Sequence, residues 1–79
     1  MCIDSKMIGK ELKSLRSRKG KRLDEVSKYL GIHFNTLLKY EKDATDLKMG
    51  TLKKILDYYD IDELIFFKTI REYNHKKER

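Results

Sequence analysis

The stretch Leu23–Glu41, LDEVSKYLGIHFNTLLKYE, decides how this chain folds. Its first half sets Val26, Tyr29 and Leu30 on one side of a short helix. Gly31 then interrupts the pattern, since glycine alone takes left-handed or tight backbone angles without steric cost. Ile32 follows as an apolar plug, and a second helix starts near His33–Asn35. Two short helices hinged at a glycine therefore occupy the middle of the chain.

Outward from this centre the pattern stays helical. Ile8, Leu12 and Leu15 recur at helical spacing, which predicts an amphipathic helix over Lys6–Arg18 with Ser5 as its cap. Lys19 and Gly20 end it, a basic last turn followed by a glycine. The second helix is expected over Leu23–Leu30, with Asp24 and Glu25 in its first turn, and the third over Phe34–Lys42. Asp43–Asp46 reads as a polar connection. A fourth helix is expected over Met49–Tyr58, burying Leu52, Ile55 and Leu56 or Tyr59. After a break at Asp60 and a cap at Asp62, a fifth runs from Glu63 to about Tyr73. No repeat, linker or second domain is visible. The expected domain spans 6–74, with its central pair of helices at 23–42 and flexible ends at 1–5 and 75–79.

Composition narrows the function. The chain has 79 residues, no proline and one cysteine, Cys2. A domain of this size buries only roughly 60% of its unfolded surface, so the core is thin. No apolar run approaches the ~20 residues of a membrane span. A lone cysteine without a signal-like segment points to a reducing, cytoplasmic setting. The net charge is +6, and the segment Lys10–Arg22 alone supplies that excess. Such a block suggests a polyanion, nucleic acid first. His33 and His75 are too far apart, and too poorly accompanied, to make a metal site. No nucleophile has a visible base partner, and there is no phosphate-binding glycine loop, so neither catalysis nor a cofactor or small-molecule substrate is expected. The acids Asp57, Asp60, Asp62 and Glu63 read as a solvated helix end and a cap.

Helix, glycine-containing turn, helix is the motif that places its second helix in a DNA major groove. IGKxLxxLR at Ile8–Arg16, KG at Lys19–Gly20 and DEVSxxLGI at Asp24–Ile32 extend it. TLxKYE at Thr36–Glu41 and TLxKIL at Thr51–Leu56 follow in order, without a gap. In this joint order the chain resembles the phage Cro and repressor-type helix-turn-helix domains, the XRE family. The resemblance implies an all-α, compact five-helix, lambda-repressor-like domain that binds double-stranded DNA as a sequence-specific transcriptional regulator of repressor type. It implies an ion pair between Arg16 and Glu41. It also turns Leu37 and Tyr40 inward and aims Phe34, Asn35, Leu38 and Lys39 at bases. Asn35 has the chemistry for adenine and Lys39 that for guanine, while Phe34 and Leu38 suit thymine methyl groups. Lys19, Lys21, Arg22, His33, Thr36 and Lys42 are the candidates for phosphate contacts.

Three features depart from the family's pattern. Arg22 and Leu23 replace a capping residue and a phosphate-binding glutamine, the acids Asp43 and Asp46 follow the third helix, and Phe34 and Leu38 make the reading face apolar. They leave open an alternative, an antirepressor or modulator that uses the same fold to bind another regulator protein. The fifth helix carries apolar residues on more than one face. Phe66, Ile70 and Tyr73 are the expected exposed patch, and a homodimer its simplest use.

Overall fold

The computed structural model describes the backbone from Asp4 to Lys77 and the side chains from Asp4 to Glu72. Five helices follow one another, α1 (Ser5–Arg18), α2 (Leu23–Leu30), α3 (Phe34–Lys42), α4 (Met49–Tyr59) and α5 (Glu63–Lys77), with no strand among the described residues. Each contributes to one core. Leu12 and Leu15 come from α1, Val26 from α2 and Leu37 from α3. Leu52, Ile55, Leu56 and Tyr59 come from α4, and Phe66 and Ile70 from α5. Ile32, the residue after the hinge, packs partly buried against this cluster.

Three of the four turns carry a residue at positive φ, Gly20, Gly31 and Asp60. Gly31 sits at φ 73° and ψ 30°. Its amide donates to the Lys28 carbonyl at 3.2 Å and that of Ile32 donates to Ser27 at 3.0 Å, closing the end of α2. Asp60 ends α4 at φ 59°, a conformation that short polar side chains tolerate better than most. α1 and α3 cross so closely that a methyl group on Gly9 would stand 2.6 Å from the Tyr40 carbonyl oxygen.

Several expectations need correction. Asp4, not Ser5, caps α1, accepting from the Met7 amide at 2.9 Å. Ser5 is instead the first helical residue. Its hydroxyl meets the Thr45 hydroxyl at 3.0 Å and its carbonyl accepts from the Ala44 amide at 3.0 Å, fastening α1 to the α3–α4 connection. The backbone remains helical to Lys77, past the expected end near Tyr73 and into the expected flexible end. The rest of those ends, 1–3 and 78–79, lies outside the described residues. Tyr40 is only half-buried and stays outside the core that Leu37 fills.

The expected patch on α5 is also overturned. Phe66 and Ile70 are 1% and 2% exposed, because their side of α5 closes the core. The side chain of Tyr73 lies outside the described residues. Leu64 and Ile65, 80% and 58% exposed, carry the outward apolar surface instead. Phe67 is half-buried and joins Leu64, Lys68, Arg71 and Glu72 along a shallow groove.

Candidate nucleic-acid interface

α3 is held by its ends and by one ion pair. At its start, His33 Nδ1 accepts the Asn35 amide at 3.1 Å. A neutral imidazole that accepts at Nδ1 carries its proton on Nε2, leaving that N–H as a donor. The Phe34 ring stacks on the imidazole, with centroids 4.9 Å apart and planes at 25°. Near its end, Glu41 is gripped by Arg16 from α1. Nε donates to Oε2 at 2.8 Å and Nη2 to Oε1 at 3.1 Å. Arg16 Nη1 also donates to the Lys21 carbonyl at 3.1 Å. The hydrogen bond and charge of Glu41 hold the guanidinium pKa above its already high ordinary value, against the opposing effect of burial. Burial pushes the hydroxyl of nearby Tyr59 well above the usual phenol range, and the Glu41 charge adds to it.

Between these anchors α3 presents a continuous face. Asn35, Leu38, Lys39 and Lys42, with Asp43 and Thr45, line a groove of about 380 Å³. Asn35, Lys39 and Lys42 are exposed, while Leu38 is half-covered. Phe34, 48% exposed, stands apart at the helix start with His33. Thr36 is half-buried in the first turn.

The two acids after α3 are not loose charges. Asp43 Oδ1 accepts from the Thr45 amide at 3.1 Å and from its hydroxyl at 2.6 Å. The Ser5 hydroxyl, then that of Thr45, holds the Asp43 carboxyl below the usual aspartate range. Asp46 reaches back to Lys39, with Oδ2 2.8 Å from Nζ. This hydrogen bond and the Asp46 charge raise the Lys39 pKa.

The basic block of the sequence is divided by the fold. Arg16 is committed to Glu41, and Arg18 pairs with Glu11 at 2.9 Å and donates to Ser14 at 3.2 Å. Lys21 lies 5.6 Å from the centre of the Tyr58 ring. Arg22, at the start of α2, pairs with Asp24 at 3.3 Å, and its amide donates to Glu25 at 2.9 Å, so Glu25 takes over part of the missing cap. Lys19 is exposed. None of Lys19, Lys21 and Arg22 lines the groove of Asn35 and Lys39.

A second groove does lie alongside it. Lys6, Lys10 and Lys13 from α1 surround it with Leu38, Glu41 and Lys42 from α3. The sequence reading missed Lys6. Its spacing from Lys10 and Lys13, four and then three residues, places all three on one side of a helix and was the available signal. Among the described residues there is no group of three or more His, Cys, Asp or Glu side chains that could hold a metal ion, and no helix long and apolar enough to cross a membrane.

Known proteins match this arrangement at two levels. Among solved structures, a single-substitution variant of the restriction-modification controller protein C.Esp1396I superposes with a TM-score of 0.84 at 15% identity, covering 95% of this chain and 97% of that one. The wild-type controller protein gives 0.82 at 15% identity, with 91% and 94% covered. Another variant gives 0.80 at 18% identity, with 92% and 94% covered. At such identities the likeness is one of fold. No curated protein sequence matches the chain. The helix-turn-helix family, however, matches residues 12–66, well over half of the chain, with α2 and α3 at the centre of the match. This chain therefore belongs to the XRE-type helix-turn-helix family of small DNA-binding regulators.

Proposed function

We propose that this chain is a cytoplasmic, sequence-specific repressor that binds double-stranded DNA as a homodimer, with α3 in the major groove. The observation that carries the reading is the face of α3. It gathers an amide, an apolar residue and two ammonium groups in one groove, beside a second groove flanked by three lysines of α1. Asn35 reads adenine, Lys39 reads guanine, and Leu38 and Phe34 meet thymine methyl groups. Lys6, Lys13, Lys19, Arg22, His33, Thr36 and Lys42 meet phosphates, which set register and affinity. The outward side of α5, with Leu64 and Ile65 at its centre, is the dimer surface in this reading. Two copies would set their α3 helices about one DNA turn, roughly 34 Å, apart.

Retardation of a duplex as salt is raised tests the proposal. With five lysine and arginine contacts in each copy, about ten phosphates are neutralised by the dimer and affinity falls by about 10⁵ between 50 and 200 mM salt. The exposed Phe34 ring and the pairing of Lys39 with Asp46 favour a second reading, an antirepressor that docks this face on another regulator. Absence of retardation even at low salt, together with co-purification of a repressor, would decide for it.

A further inference from the structure

We propose that Asp46 is a specificity-determining residue, holding Lys39 so that a guanine edge can engage this lysine and a lone backbone phosphate cannot do so without penalty. The inference rests on the DNA-binding reading above. Lys39 Nζ and Asp46 Oδ2 stand 2.8 Å apart, and both side chains remain open to solvent, 64% and 63% exposed.

Asp46 is carried on a fixed loop. On one side, Thr45 is bonded to the Asp43 carboxylate and to the Ser5 hydroxyl. Ala44 is buried, its amide donates to the Ser5 carbonyl at 3.0 Å, and its own carbonyl accepts from the Leu47 amide at 3.0 Å. The carboxylate is thus presented to Lys39 by a loop tied down on both sides. Of the two acids after α3, Asp43 is spent on this fastening and Asp46 faces the lysine.

The chemistry separates the two targets. A lysine is a compact point charge that meets phosphate without regard to sequence. A phosphate approaching Lys39 must bring its own negative charge beside Asp46, or else break the pair. Guanine N7 and O6 are uncharged acceptors. Lys39 has three N–H donors, so it can serve guanine with one and keep Asp46 on another. The carboxylate in turn suits the N4 amino group of the paired cytosine. Donor and acceptor side by side thus complement a G·C pair and repel the backbone.

Equilibrium binding of the full chain to two duplexes tests this, one of mixed sequence and one recovered as best-bound from a random pool. On the mixed-sequence duplex, Asp46→Asn is expected to tighten binding several-fold. It should also steepen the slope of log K against log salt by about 0.9 per subunit, the contribution of one newly neutralised phosphate under each copy of the chain. On the best-bound duplex the change should stay under about twofold with no change in slope, since Lys39 is already engaged by bases there. In a Lys39→Gln background the extra slope should vanish. Equal tightening on both duplexes, or a slope gain that persists without Lys39, would overturn the inference and leave the DNA reading intact. Failure of the unaltered chain to bind either duplex would remove both.

Discussion

Replacing Arg16 by methionine tests how α3 is held, and the structure sets the size of the effect. The substitution keeps an aliphatic stem but removes both donors from Glu41, whose side chain is 2% exposed. Removing one partner of a buried ion pair costs about 3–5 kcal/mol, because the other charge remains buried and unpaired. A domain of this length has roughly 4–12 kcal/mol in all. Each kcal/mol moves its Tm by about 4–8 °C, so Arg16→Met should lower Tm by about 12–40 °C. The reverse substitution is milder. Glu41→Met strands Arg16, but that side chain is 17% exposed and keeps its bond to the Lys21 carbonyl. A loss of about 1–3 kcal/mol is expected there. The double variant should be more stable than Arg16→Met alone, since two apolar side chains in place of a buried pair are often near neutral. Thermal and urea unfolding of the four proteins form the cycle. The reasoning fails if Arg16→Met costs under about 1 kcal/mol or if the two losses simply add.

Three further outcomes are expected. Gly9→Ala should destabilise by about 1–2 kcal/mol, the overpacking penalty less the gain in helix propensity. Its new methyl group would meet the backbone of Tyr40, Glu41 and Asp43, whereas Gly50→Ala meets open space and should be neutral or stabilising in the same melt. Because the Asp43 carboxyl is held below its ordinary pKa, its contribution to stability is full above the unfolded value near ~3.9 and is lost as pH falls below it. Acid titration by circular dichroism should therefore show a shallower loss for Asp43→Asn, and identical acid limbs would count against the role given to Ser5 and Thr45. Sedimentation should find the unaltered chain dimeric and Leu64→Asp folded but monomeric, while Phe66→Asp unfolds. A monomeric parent chain at high concentration would remove the α5 interface.

Much of this architecture was legible in the residues. The hinge at Gly31 and the helical spacing of Leu12, Leu15, Leu52 and Ile55 rest on local geometry, which sequence states directly. Where apolar residues lie on more than one side, periodicity loses its discrimination. Leu64, Ile65, Phe66 and Phe67 offer every facing at once, and only packing against the rest of the core selected Phe66 and Ile70. The cap of α1 was displaced by one residue for a similar reason. Asp4 and Ser5 are both capping types, and the pull of Thr45 and Ala44 on Ser5, far away in the chain, settled the register.

On α3 itself the identities of Asn35, Leu38, Lys39 and Lys42 were readable, and so was their shared face. What sequence could not show was the partnership of Lys39 with Asp46. That pair forms across the α3–α4 connection, whose path depends on Asp43, Thr45 and Ser5 together. The acids after α3 read only as a departure from the family's pattern, and the fold gives each a specific partner. Likewise the block Lys10–Arg22 read as one basic surface. Folding spends Arg16 and Arg18 on internal pairs and brings Lys6 into a groove beside α3.

Selection of bound duplexes from a random-sequence pool tests the central claim most directly. The account predicts enrichment of a two-fold-symmetric site, its halves about one helical turn apart. Repeating the selection with Asn35→Ala should relax one position in each half-site and leave the others unchanged. Recovery of a pool with no preferred sequence, at a salt concentration where the chain still binds DNA, would contradict it.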